Sequence, residues 1–240
     1  DQDRYFTVDS DAIQVEGTTM GLQPGDSVTL HQLAAGMLLP SGNDAANAAA
    51  VEIAGSEEAF VRLMNQRAAE LGLENTQYRN PSGLDAEGHY SSARDLAALA
   101  AHALENEDFE DIVSKQEIRM AFGNPPYNRS LYTTNKLLER YPYAIGVKTG
   151  YTDDAGLCLV TAAEKDGTRL IIVTLNGKDD VNTHMRLYEH FFPLLARVDL
   201  SGFTEGLSVP VTGGTRDSVA AVPAAEPGAG LLEGEYDALT

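Results

Sequence analysis

The chain has 240 residues, with 17 Lys and Arg against 36 Asp and Glu, giving a formal net charge of −19. That length fits one large domain or one domain plus a tail, and 43% hydrophobic with 22% charged residues is too apolar for wholesale disorder. The acidity opposes contact with a phosphate backbone, so nucleic acid is not an expected partner. No run approaches the roughly 18 apolar residues of a membrane span, and a lone Cys158 excludes both a disulfide framework and a cysteine zinc site.

The opening residues, Asp1-Gln2-Asp3-Arg4-Tyr5, are neither basic nor followed by an apolar run, and no initiator Met is present. The sequence is therefore expected to have lost its natural N-terminus. Thr7 to Gln14 is short and mixed, and Pro24-Gly25 marks a turn. Thr29 with Gln32 forms a capping box, and Leu30, Leu33, Ala34, Met37 and Leu38 repeat at helical spacing up to Pro40. A second helix, rich in Ala, is expected from Asp44 to Ala54, closed by Gly55. Ser41, Gly42 and Asn43 then lie on a tight connection between two apolar helices.

Ser56 caps a third helix, with Phe60, Leu63, Met64, Ala68 and Leu71 on one face and Gly72 at its end. Asn80-Pro81-Ser82-Gly83 reads as loop. Ser92 with Asp95 opens a fourth helix through Leu96, Leu99, Ala100, Ala103 and Leu104, and Gly123-Asn124-Pro125-Pro126 breaks the chain again. Three strands follow, over 144–149, 157–163 and 170–175, the last two joined by an Asp166-Gly167 hairpin signal. Met185, Leu187, Tyr188, Phe191, Leu194 and Leu195 form a last amphipathic helix. The forty residues from Ser201 hold seven of the 22 Gly and three of the 10 Pro, which reads as a short β-segment, Leu207 to Val211, and a flexible end. Helices first, antiparallel strands later and a closing helix indicate an α+β fold, with antiparallel sheet packed against helices.

Lys148-Thr149-Gly150 ends a strand with an ammonium, a hydroxyl and a glycine that clears the approach of an anionic ligand. Ser41 and Asn43 offer a hydroxyl that can pass a proton and an amide that can hold a carbonyl, as acyl transfer requires. His184 and His190, six apart, do not share a helical face, and no His-Glu-X-X-His string occurs, so no metal or other cofactor is expected. Cys158 reads as a buried strand residue, Asp179-Asp180 as a solvated turn, and His89 as a surface residue near the Ser91 loop.

Five strings in order carry a resemblance. They are 38–46 around Ser41-Gly42-Asn43, then Gly83-Leu84-Asp85, His89-Tyr90-Ser91-Ser92-Ala93, Thr134-Asn135-Lys136-Leu137-Leu138, and Gly146-Val147-Lys148-Thr149-Gly150-Tyr151-Thr152. The sequence resembles the serine-type D-alanyl-D-alanine carboxypeptidases, the low-molecular-mass penicillin-binding proteins, from about Val15 to Leu195. Gly42, where other branches place Asp, favours this branch over class A β-lactamases. The family's first motif, Ser-X-X-Lys, is absent, since no Ser here has Lys three positions on.

The resemblance implies a β-lactamase/transpeptidase-like fold, with a partial penicillin-binding domain over 1–198 and, over 199–240, a linker and the start or remnant of a small β-domain. It implies removal of the terminal D-alanine from peptidoglycan stem peptides by an acyl-enzyme route, with β-lactams bound at the same site. Ser41 would relay a proton, Asn43 would hold the acyl donor's amide, and Lys148 and Thr149 would take the substrate carboxylate. Gly150 would line that site, and the Tyr151 backbone N–H would face the oxyanion. Arg186 is the nearest candidate for an additional carboxylate ligand, with a solvated helix residue as the equal alternative. The implied location is the outer face of the cytoplasmic membrane, held by an anchor this sequence does not contain. Lacking the nucleophile, the chain as given is expected to be inactive. A non-catalytic peptidoglycan-binding homologue, or a β-lactamase or esterase of the same superfamily, are the rival readings.

Overall fold

Thr29 caps helix α1 (Leu30–Leu38) in the computed structural model, which describes residues 2–199, 208–210, 218–220 and 228–232. The expected capping box is present in full. The Thr29 hydroxyl accepts from Gln32 N at 3.2 Å, and the Gln32 side chain accepts from Thr29 N at 3.0 Å. After the turn at Ser41, α2 (Asn43–Ala54) runs back against α1. Its buried face is mostly Ala, including Ala45, Ala48 and Ala49, and small side chains let the two helices approach closely. Gly55, at φ 80°, closes α2 in the left-handed region that favours glycine.

Helices α3 (Glu57–Glu70) and α4 (Ala93–Ala103) start at Ser56 and Ser92, whose hydroxyls accept from Ala59 N and Asp95 N. A short helix, α5 (Glu107–Val113), had no clear sequence signal. Asn106 caps it, accepting from Phe109 N. Strands β1 (Phe6–Thr7) and β2 (Ser27–Val28) pair antiparallel beside α1. The expected break at 123–126 is instead the turn of a hairpin, β3 (Glu117–Gly123) against β4 (Pro126–Tyr132), with Gly123 opposite Pro126. Phe122 and Leu131 on this hairpin join Leu33, Leu39, Val28, Ala45 and Ile112 in the main core.

After one turn of helix, α6 (Leu137–Arg140), come β5 (Ala144–Thr152), β6 (Gly156–Lys165) and β7 (Thr168–Thr174), antiparallel at the β5–β6 pair and ordered 5-6-7. Val147 and Ala162 of this sheet share a second core with Leu104 and Val113. The closing helix α7 (Asp180–Phe191) begins earlier than its apolar pattern suggested and gives way to a 3-10 turn at Phe192–Leu194, where Pro193 lacks the N–H that a continuing helix needs. Asp179 and Asp180 are accordingly the start of a helix: the Asp179 carbonyl accepts from Thr183 N, and its side chain accepts from Asn182. Cys158, expected buried, is half-buried on β6 opposite Gly150.

His184 is fully buried. Its Nδ1 shares a 2.7 Å hydrogen bond with the Thr161 hydroxyl, and its Nε2 shares one of 3.0 Å with the Thr174 hydroxyl. Burial pushes its pKa down to about 4, although the Asp180 carboxylate opposes that shift, so the ring is neutral in ordinary buffers.

The chain divides into two compact units, one of residues 1–163 with 171–185, the other of 164–170 with 186–240. Apart from the carboxylate candidate Arg186, the site residues discussed below belong to the first. In the second, β8 (Leu195–Asp199) pairs antiparallel with β11 (Gly228–Leu232), and β9 (Ser208–Pro210) with β10 (Ser218–Ala220). Strand β9 lies inside the expected 207–211 segment. Most of the end expected to be flexible lies outside the described residues. Among the described residues, no helix is long and apolar enough to cross a membrane, and no cluster of His, Cys, Asp or Glu could hold a metal ion.

Candidate active site

Ser41 sits at φ 62°, a left-handed conformation that costs a residue with a Cβ on the order of 1 kcal/mol and persists only where neighbours enforce it. Here three contacts do so. Gly42 N donates to Gly36 O at 2.9 Å, the Thr18 hydroxyl donates to Ser41 O at 2.6 Å, and Asn43 N donates to Thr18 O at 2.8 Å. Gly42 is required by space. A Cβ there would lie 2.8 Å from Met20 N, 2.9 Å from Asp44 Oδ1 and 2.9 Å from Gly36 O. The glycine first read as a family marker thus has a local steric cause.

The segment 16–22 straps this turn in place. Glu16 O accepts from the Asn43 side-chain amide at 2.8 Å, which fixes that amide's orientation. Asp44, only 1% exposed, accepts from the backbone N–H groups of Met20, Gly21 and Leu22 at 2.8, 3.0 and 2.9 Å. From the other side Arg129 Nη1 donates to Met20 O and Gly21 O, while its guanidinium lies over the Phe122 and Tyr127 rings. A carboxylate and a guanidinium therefore grip the same stretch of backbone, one through its donors and one through its acceptors. Neither Asp44 nor Arg129 had been singled out from the sequence. Asp44 lay in the quoted Ser41 string but had no partner visible there.

Lys148 comes to the same place from β5. Its Nζ donates to Ser41 Oγ at 2.7 Å and to Thr149 O at 2.7 Å. Burial lowers its pKa to about 8, because an ammonium loses hydration when it leaves water. Thr149 Oγ1 lies 2.5 Å from Thr134 Oγ1 on the loop before α6. Gly150 and Tyr151 continue β5, with the Tyr151 ring exposed and its hydroxyl donating to Asp153 at 3.2 Å. The structure thus brings Ser41, Lys148 and Thr149 together, with Gly150 and Tyr151 next along the strand, while the Asn43 side chain, two residues on from Ser41, is bonded to Glu16 O. Arg186 lies on α7, in the second unit.

A helical layer, an antiparallel sheet, and Ser-Gly-Asn set against Lys-Thr-Gly form the arrangement of the penicillin-binding proteins. The family model described as D-alanyl-D-alanine carboxypeptidase matches residues 1–179, and the chain belongs to that family. It is 43% identical over 166 residues to the D-alanyl-D-alanine carboxypeptidase DacF of Bacillus subtilis, covering 69% of this chain and 42% of DacF. It is 40% identical to DacC of Escherichia coli over 166 residues, 68% of this chain and 40% of that one. Among solved structures, a D-alanyl-D-alanine carboxypeptidase from Mycobacterium tuberculosis matches with a TM-score of 0.75 and 35% identity, over 81% of this chain and 75% of that one. The chain spans less than half the length of the first two relatives. The fold is that of the penicillin-binding enzymes, as expected.

Proposed function

We propose that this chain carries the proton-relay and carboxylate-binding half of a serine-type D-Ala-D-Ala carboxypeptidase site, which acts on peptidoglycan stem peptides at the cell envelope. The observation that carries this reading is the meeting of Ser41 and Lys148 across a 2.7 Å hydrogen bond from opposite halves of the domain. Lys148, with a pKa near 8, is protonated at neutral pH and can hold the terminal carboxylate of a stem peptide, with the Thr149 hydroxyl beside it. Ser41 Oγ, already accepting from Lys148, can carry a proton towards the leaving D-alanine amine. Asn43, its amide turned by Glu16 O, presents its carbonyl oxygen for the acyl donor's N–H. The Tyr151 backbone N–H is one of two oxyanion donors, and residues 199–240, most of them outside the described residues, are a linker and the start or remnant of a small β-domain.

The covalent step needs a Ser-X-X-Lys nucleophile, which the 240 residues do not contain. A β-lactam would acylate that same serine. We take the chain as given to be inactive in turnover; the second reading is a peptidoglycan binder without catalysis. Release of D-alanine from diacetyl-Lys-D-Ala-D-Ala by a version extended with a Ser-X-X-Lys segment tests the first reading. Peptide binding without release supports the second.

A further inference from the structure

The Thr134 hydroxyl touches the Thr149 hydroxyl at 2.5 Å, while Thr134 N donates to Leu39 O at 3.2 Å, two residues before the Ser41 turn. One residue therefore ties the Ser41 connection to the Lys148-Thr149 strand. Its neighbours hold it in place. Thr133 N donates to Gln116 O at 3.0 Å, Asn135 N donates to the Thr133 hydroxyl at 3.1 Å, and Asn135 is 98% buried, its Oδ1 accepting from Leu137 N. The Thr134 side chain is itself exposed on the site side of this fixed loop.

A hydroxyl has one proton and two acceptor sites. If Thr149 gave its proton to a neighbouring acceptor, it would meet an incoming carboxylate with lone pairs only, which is repulsive. We propose that Thr134 is a positioning residue for carboxylate recognition: its hydroxyl donates to Thr149 Oγ1, which leaves the Thr149 proton directed at a ligand carboxylate beside Lys148. The proposal rests on the carboxypeptidase reading of Lys148 and Thr149. Thr134 acts through Thr149, so its effect should follow the charge of the ligand terminus and not the whole ligand.

The test titrates the isotope-labelled 240-residue chain with diacetyl-Lys-D-Ala-D-Ala and with its C-terminal amide, following amide shifts by NMR. Wild type should prefer the free acid. Thr134→Val keeps the backbone N–H to Leu39 and should lose about tenfold in affinity for the acid, as expected for a hydrogen bond to a charged group, with little change for the amide. Thr134→Ser should restore the preference. Thr134→Ala replaces the valine variant if that one does not fold. A valine variant that keeps the wild-type acid preference overturns the proposal alone, as does one that weakens acid and amide equally. A wild-type chain that does not prefer the acid removes the carboxypeptidase reading of this site, and the role of Thr134 with it.

Discussion

Lys148 Nζ donates to Ser41 Oγ at 2.7 Å although the two residues are 107 positions apart in sequence. The contact gives Lys148 two roles, on the relay hydroxyl and on a ligand carboxylate, and kinetics can separate them. In a version of the protein extended with a Ser-X-X-Lys segment, Lys148→Ala should lower kcat/KM for the free-acid peptide at least tenfold. One charge-assisted hydrogen bond contributes about 1.5–3 kcal/mol. A thioester lacking the carboxylate should lose less, because only the relay is impaired. Equal losses on both substrates would assign the lysine to Ser41 alone.

The depressed pKa of Lys148 sets a pH limit. The folded state releases this proton near pH 8, while an unfolded lysine holds it to about 10.4. Carboxylate binding to the 240-residue chain should therefore be strongest below pH 8 and weaken above it. The unfolded state binds more protons between the two values, so this group contributes stability that increases with pH across that window. Isothermal titration with the free-acid peptide from pH 6.5 to 9.5 measures the first effect. Affinity that is flat through pH 9 would show that the ammonium does not hold the ligand.

His184 works on the acid side. Its folded pKa near 4 lies below the ordinary 6.5, so the unfolded chain takes up a proton first as pH falls. Stability from this group is complete above about 6.5 and is lost as pH drops towards 4. His184→Gln should flatten the melting-temperature profile between those values relative to wild type. An unchanged slope would mean that the acid limb belongs to other groups.

Asp44 is the keystone of the strap. Asp44→Ala leaves the N–H groups of Met20, Gly21 and Leu22 without their acceptor and removes one of the two carboxylates that act on Arg129, Asp26 being the other. The expected loss is about 2–4 kcal/mol, which for a chain of this size lowers the melting temperature by roughly 5–15 °C. Calorimetry of the purified variant measures it, and a shift of less than about 2 °C would show that the strap is held by other contacts.

What the sequence carried and what it did not divide by the range of the interactions. Thr29, Ser56 and Ser92 announced three helix starts because a cap is a contact over three residues. The β3–β4 hairpin was missed because Asn124-Pro125-Pro126 looks like a break until Gly123 is seen paired with Pro126. Ser41, Asn43, Lys148 and Thr149 were legible as motif strings, but their meeting is a tertiary fact. Asp44 binds backbone N–H groups more than 20 residues away, and Thr134 reaches a hydroxyl 15 residues on. Neither leaves a periodic or local trace, so neither could be given a role beforehand. Met185 to Leu195 placed Tyr188 on the buried side of α7 but missed the exposure of Phe191 and Leu194 and the helix bounds, which Pro193 and the Asp179 turn set.

The most direct measurement of the central claim is covalent labelling with a fluorescent penicillin, on the 240-residue chain and on the version extended with Ser-X-X-Lys, each with Lys148 and with Lys148→Ala. The shorter chain should take no label, the extended one should be labelled on its added serine, and Lys148→Ala should slow that labelling strongly. Label that maps to Ser41, or an extended protein that carries the motif and folds yet takes no label, would contradict the claim.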